Sequence, residues 1–140
     1  MTLAWFKFRI YGHPNVKGTH KTTLEFTKEN YLTPKGDCII GIRAEASVSD
    51  LPAWIKEGIW KSKTVVLVIC VDGMCDAIVG KGDPGLSLRD DTRMIVRKST
   101  YKDGKTLMIK ANKSAKDIDR RIIELLKKGA IGTVYISIID

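Results

Sequence analysis

Residues 35–71 return, in order and at a constant offset of 67, as residues 102–138. Ile42, Ala44, Ser47, Asp50, Ile55, Glu57, Lys61 and Ile69 meet Ile109, Ala111, Ser114, Asp117, Ile122, Glu124, Lys128 and Ile136. Upstream, an offset of 70 sets Gly12-His13-Pro14 on Gly82-Asp83-Pro84, and Thr27–Tyr31 on Arg97–Tyr101. The change of offset corresponds to one three-residue insertion near Leu32–Lys35. Such a pattern constrains the fold more than any single motif. The 140 residues read as one domain made of two repeats, about 1–71 and 72–140. A unit of about 70 residues buries too little surface to be comfortable alone. Two generic strand-helix-strand units would also share apolar spacing; the agreement in cap residues favours duplication.

Each half reads strand, strand, strand, helix, strand. In the first, residues 5–11 alternate apolar and basic, and Thr22–Lys28 puts Leu24 and Phe26 on one face and Thr23, Glu25 and Thr27 on the other. Strands follow at Cys38–Arg43 and Thr64–Val71, with a helix near Asp50–Trp60. The second half repeats this with strands at Ala77–Gly80, Arg93–Lys98, Thr106–Lys110 and Thr133–Ile138, and a helix near Ala115–Lys128. Ser114-x-x-Asp117 resembles a capping box. In the first half Ser49 is the better cap, because it places Pro52 in the first helical turn, where a missing N–H costs little. Gly129 marks the second helix's stop.

Asp72-Gly73 between two apolar runs predicts a two-residue hairpin joining the halves. Its register sets Val71 against Met74 and Cys70 against Cys75, close enough for a disulfide. A mesophilic cytosol would keep both as thiols and a hyperthermophile would favour the bond, so the sequence leaves it open. By symmetry Thr133–Ile138 should lie antiparallel to residues 5–10. The predicted fold is α+β: two β-β-β-α-β units merged into one mixed sheet or barrel with two outer helices.

Lys and Arg total 24 against 16 Asp and Glu, a net +8. Nucleic acid or an anionic small molecule suits that balance, and so does a solvated Lys-rich surface of the kind found in thermophilic proteins. The basic residues gather in Arg93, Arg97, Lys98, Lys102, Lys105, Lys110, Lys113 and Lys116, with Asp103 the one acid among them. That stretch is the expected anion or nucleic-acid footprint. Apolar runs such as 65–71 are far shorter than the ~18–20 residues of a membrane span. With no secretory leader pattern at the N-terminus, a cytoplasmic protein is expected.

In a duplicated fold, residues present in only one half are the better candidates for chemistry. Both histidines, His13 and His20, lie in the first half; Glu25 aligns with Ile95, and Asp37-Cys38 follows Gly36 at a turn. His13, His20, Glu25, Asp37 and Cys38 are therefore candidate catalytic residues, able to form an acid/base group or hold a divalent metal. No specific metal motif supports the second use. The structural alternatives are a His13 that caps its own turn, a His20 bonded to backbone, and a Cys38 that serves as a small apolar residue. Trp54 and Trp60 lie on a helix and are expected to pack rather than stack on bases. There is no nucleophile elbow, kinase set or RNP aromatic pair.

Gly12-His13-Pro14-Asn15, Thr19–Thr27 and Leu32–Gly41, with Arg97-Lys98-Ser99 and Ile109–Asp119, resemble the archaeal proteins grouped as domain of unknown function 371. The resemblance covers nearly the whole chain. It implies an archaeal, cytosolic, stand-alone protein and carries over no activity and no catalytic residues. RNA binding through the basic stretch is the leading expectation. The alternative is an enzyme acting on a small phosphorylated or anionic substrate at the first-half His/Glu/Asp/Cys cleft.

Overall fold

The computed structural model describes residues 3–140. Eight strands and two helices follow one another as β1 (Phe6–Tyr11), β2 (Thr23–Thr27), β3 (Ile39–Gly41), α1 (Ala53–Trp60), β4 (Thr64–Val71), β5 (Met74–Lys81), β6 (Arg93–Arg97), β7 (Thr106–Met108), α2 (Arg120–Lys127) and β8 (Ile131–Ile139). The order of element types is the same in residues 1–71 and 72–140.

The strands form two four-stranded sheets, β1-β8-β4-β5 and β3-β2-β6-β7. The first is antiparallel throughout. The second has an antiparallel centre, β2–β6, flanked by the parallel pairs β2–β3 and β6–β7. Single bridges join the sheets at both edges, Tyr11 to Ile42 and Lys81 to Ile109. Each bridge carries two backbone hydrogen bonds of 2.8–2.9 Å. Of the two forms open to the sequence, a single mixed sheet is corrected: the chain builds two sheets, closed loosely into a barrel. A twisted eight-stranded sheet curls, and closure removes its edges.

Alternation explains the core. Phe8, Ile10, Val65, Leu67, Ile69, Ile78, Val134 and Ile136 point inward from the first sheet, and Leu24, Phe26, Met94 and Val96 from the second. The helices lie at opposite ends of the β4–β8 pair, apolar faces inward. Gly58 of α1 meets the Ile138 side chain, and α2 turns Ile122, Ile123 and Leu126 into the core. Trp54 and Trp60 are not buried by this packing; each stays about 40% exposed (40% and 42%), with the Trp60 indole N–H donating to the Leu86 carbonyl at 2.7 Å.

The hairpin pairs in the expected register, Val71 with Met74 and Cys70 with Cys75. Asp72 and Gly73 take φ of 50° and 80°, the twist a two-residue hairpin needs. Cys70 and Cys75 are joined by a disulfide, with Cα atoms 4.1 Å apart. β8 lies antiparallel to β1, with Phe6 opposite Ile136 and Ile10 opposite Gly132.

The helix starts differ from expectation. Ser47 and Asp50, not Ser49, form the first-half box, and it closes a 3-10 turn, Val48–Asp50, rather than α1. Ser114 and Asp117 do the same for the turn Ala115–Asp117. Extended residues, Leu51 and Ile118, separate each turn from its helix. Pro52 therefore stands at the N-cap of α1, outside the box, and creates no conflict with Ser47.

Candidate functional site

The second sheet carries three of the charged residues nominated from sequence, Glu25 on β2 and Arg93 and Arg97 on β6. On β2, Glu25 alternates with the core residues Leu24 and Phe26, yet it is itself only 4% exposed. Arg93, two places along on the antiparallel neighbour β6, covers it. Its guanidinium donates to Glu25 at 2.9 Å and to Glu29 at 3.0 Å. Burial raises the Glu25 carboxyl above its ordinary value of 4.5, against the opposing pull of Arg93. The Cys38 thiol lies 3.7 Å from the other Glu25 oxygen. Burial, and then the Glu25 charge, push that thiol up to about 12, so it stays protonated at neutral pH and is a poor nucleophile.

The other candidates are held by backbone. The Asp37 carbonyl accepts from the Thr19 and His20 N–H groups at 3.1 and 3.3 Å. The His20 Nδ1 accepts from the N–H groups of Thr22 and Thr23 at 3.2 and 3.1 Å, which fixes the entry to β2. The His13 Nδ1 accepts from the Asn15 N–H at 3.0 Å, within its own turn. The geometry thus brings Glu25 and Cys38 together with Arg93, and ties His20 to Asp37 through the main chain. Among the described residues, no three His, Cys, Asp or Glu side chains are grouped to hold a metal ion.

Most of the basic stretch is paired. Arg97 meets Asp103 at 3.0 Å, Lys98 meets Asp117 at 3.3 Å, Lys102 meets Asp83 at 3.5 Å, and Lys113 meets Asp76. With Arg93 bound to two carboxylates, five of the eight basic residues of the stretch have an internal counter-charge (Arg93, Arg97, Lys98, Lys102, Lys113). Lys105, Lys110 and Lys116 form no ion pair among the described residues.

A second surface lies on the outer face of the first sheet. Trp5, Lys7 and Arg9 alternate with the inward Phe6, Phe8 and Ile10, and all three are exposed. β8 sets Tyr135 beside Lys7 and Thr133 beside Arg9. The Trp5 and Tyr135 rings meet edge to face, centroids 6.5 Å apart. Lys7, Phe8, Arg9, Glu45, Thr133 and Tyr135 line a cleft of about 380 Å³. Neither Lys7 nor Arg9 pairs with a carboxylate among the described residues; Glu45 instead accepts the Arg9 backbone N–H at 2.7 Å. None of His13, His20, Glu25, Asp37 and Cys38 lines this cleft.

Sequence reasoning missed this surface, although its signal was present. At an offset of 70, Lys7 and Arg9 correspond to Ala77 and Val79; at 67, Thr133 and Tyr135 correspond to Val66 and Val68. One half of the face is basic and aromatic, while the other is aliphatic. The test of asymmetry between halves finds it as readily as it finds the histidines. The antiparallel pairing of β1 with β8, itself expected from the symmetry of the halves, assembles the two rows.

The family described as domain of unknown function 371 (DUF371) matches residues 8–139. An uncharacterized protein of Methanocaldococcus jannaschii is 51% identical over 124 residues, covering 89% of this chain and 92% of that protein.

Proposed function

Because the chain belongs to the DUF371 family, whose description assigns no activity, we propose a function from its own geometry: it binds nucleic acid, single-stranded RNA above all, on the outer face of its first sheet. The observation that carries this reading is the pair of an exposed Trp5 and a half-buried Tyr135 beside the cations Lys7 and Arg9, which form no ion pair among the described residues. Aromatic rings on a sheet surface stack unpaired bases, and adjacent cations hold the phosphates that run between them. Duplex RNA hides its base faces and would leave the rings without a partner. The Arg93–Lys113 stretch supplies less, because an ion-paired cation must give up its carboxylate before it can release counterions from a phosphate.

No comparable observation supports an enzyme at His13, His20, Glu25, Asp37 and Cys38. Its thiol is protonated, and the Nδ1 of each histidine accepts backbone N–H groups. Among the described residues, no helix is long and apolar enough to cross a membrane.

Titration with a single-stranded RNA at several salt concentrations tests the proposal. Affinity should fall with salt, with a log–log slope of roughly 0.7 per neutralised phosphate. Lys7→Ala should lower that slope by about 0.7. Tyr135→Ala should weaken binding by about 1–3 kcal/mol, the loss of one stacked base. Binding that is absent, or that is unaffected by both variants, would sink the reading. A slope that responds to Lys105 and Lys110 instead would move the footprint back to the second half.

A further inference from the structure

We infer that Glu45 is a specificity-determining residue that selects guanine at this cleft; the inference rests on the RNA reading above. Glu45 is an acid in a cleft otherwise lined by two cations, two polar side chains and one phenylalanine. It is not placed there loosely. Its N–H donates to the Arg9 carbonyl at 3.1 Å, and its Oε1 accepts the Arg9 N–H at 2.7 Å. The side chain is thereby fixed to the strand that carries Lys7 and Arg9. At the corresponding position of the second half, Asn112 makes the same bond to the Val79 N–H at 2.9 Å, but carries no charge.

A carboxylate accepts hydrogen bonds and donates none. It repels phosphate, so the groups it can hold are donors on a base edge. Guanine presents two parallel donors, N1–H and N2–H, on its pairing edge. Cytosine and adenine each offer one amino group beside a ring acceptor, and uracil offers one N–H between two carbonyls; in each case an acceptor faces the carboxylate and is repelled. A base laid against Tyr135 enters the cleft that Glu45 also lines, with the Trp5 ring set edge to face against Tyr135. The cations then take the phosphates, the Tyr135 ring takes the base face, and Glu45 reads the edge. A site built to hydrogen-bond its ligand discriminates strongly, because a wrong base leaves the polar group unpaired.

The test compares a uridine decamer with the same decamer carrying one central guanosine, adenosine or cytidine. Each is titrated against the wild-type chain and Glu45→Gln by fluorescence anisotropy. The guanosine decamer should bind wild type roughly tenfold more tightly than the other three. In Glu45→Gln that preference should vanish while uridine-decamer affinity stays equal or improves. The glutamine oxygen can still accept the Arg9 N–H, so the local fold is kept. Equal binding of all four RNAs to wild type, or a guanosine preference that survives the substitution, overturns the role of Glu45 and leaves RNA binding standing. Failure of all four to bind removes both.

Discussion

Glu25 illustrates what one residue's environment does to its chemistry. Alternation with Leu24 and Phe26 places it on the outer side of β2, and the sequence shows that much. Its burial comes from Arg93, 68 positions away, which only the β2–β6 pairing brings alongside. Two effects oppose each other at the carboxylate: burial favours the neutral form, and the Arg93 charge favours the ionised one. Burial wins, so the folded carboxyl titrates above its ordinary value of 4.5. A raised carboxyl means the folded state holds its proton longer than the unfolded chain does. The associated stability is complete below about pH 4.5 and is lost as pH rises through the folded value. Urea unfolding of wild type and Glu25→Gln at pH 4 and pH 7 should show wild type losing stability relative to the variant as pH rises. The opposite trend would mean that the Arg93 ion pair outweighs burial. Cys38 follows the same logic: burial and the neighbouring Glu25 carboxylate both disfavour its thiolate.

At the scale of the element, the two boxes show how a correct motif can be attached to the wrong structure. Ser114-x-x-Asp117 and Ser47-x-x-Asp50 are both present as patterns, and both close real turns. In each, one oxygen of the aspartate accepts the serine N–H, at 2.9 Å in both cases, and the serine hydroxyl, at 3.0 Å for Asp50 and 3.1 Å for Asp117. Choosing Ser49 followed from assuming that the box must begin the α-helix. The chain instead makes a 3-10 turn, an extended residue, an N-cap residue, and then the helix. Nothing in residue spacing separates those two cases, since both satisfy the same three-residue offset. Ser47 and Ser114 are fully buried, so each hydroxyl is held away from water. Ser47→Ala and Ser114→Ala should each cost about 1 kcal/mol in chemical denaturation. If the two halves use the boxes alike, the two losses should agree closely. The hairpin, by contrast, was fully legible: Asp72-Gly73 admits few geometries, and the register of eight residue pairs follows from it.

For the whole molecule, the question is what the two similar halves do for each other. Among the described residues, the ladders β1–β8, β4–β8, β4–β5 and β2–β6 all cross between the halves. Only the short parallel pairs β2–β3 and β6–β7 stay within one half. The glycines of the two G-x-P loops add a second interlock. A Cβ at Gly12 would stand 1.9 Å from the Leu126 carbonyl oxygen of α2, and one at Gly82 would stand 2.4 Å from the Ile59 carbonyl oxygen of α1. Each loop thus lies directly against the helix of the other half, where the sequence alone suggested no more than a turn. The repeat pointed to shared strands, but the loop-on-helix contacts have no local signature, because a glycine in a turn and a glycine beneath a helix read alike. A half on its own would expose β4 or β8 on both edges and β2 or β6 on one, and would leave its helix without the opposing loop. Residues 1–71 and 72–140, expressed separately, should each lack a cooperative thermal transition; mixed in equal amounts, they should regain one with the strand signal of the full chain. A separate half that unfolds cooperatively as a monomer would show that the ladders within each half suffice. The barrel would then be a docked pair of domains rather than one folding unit.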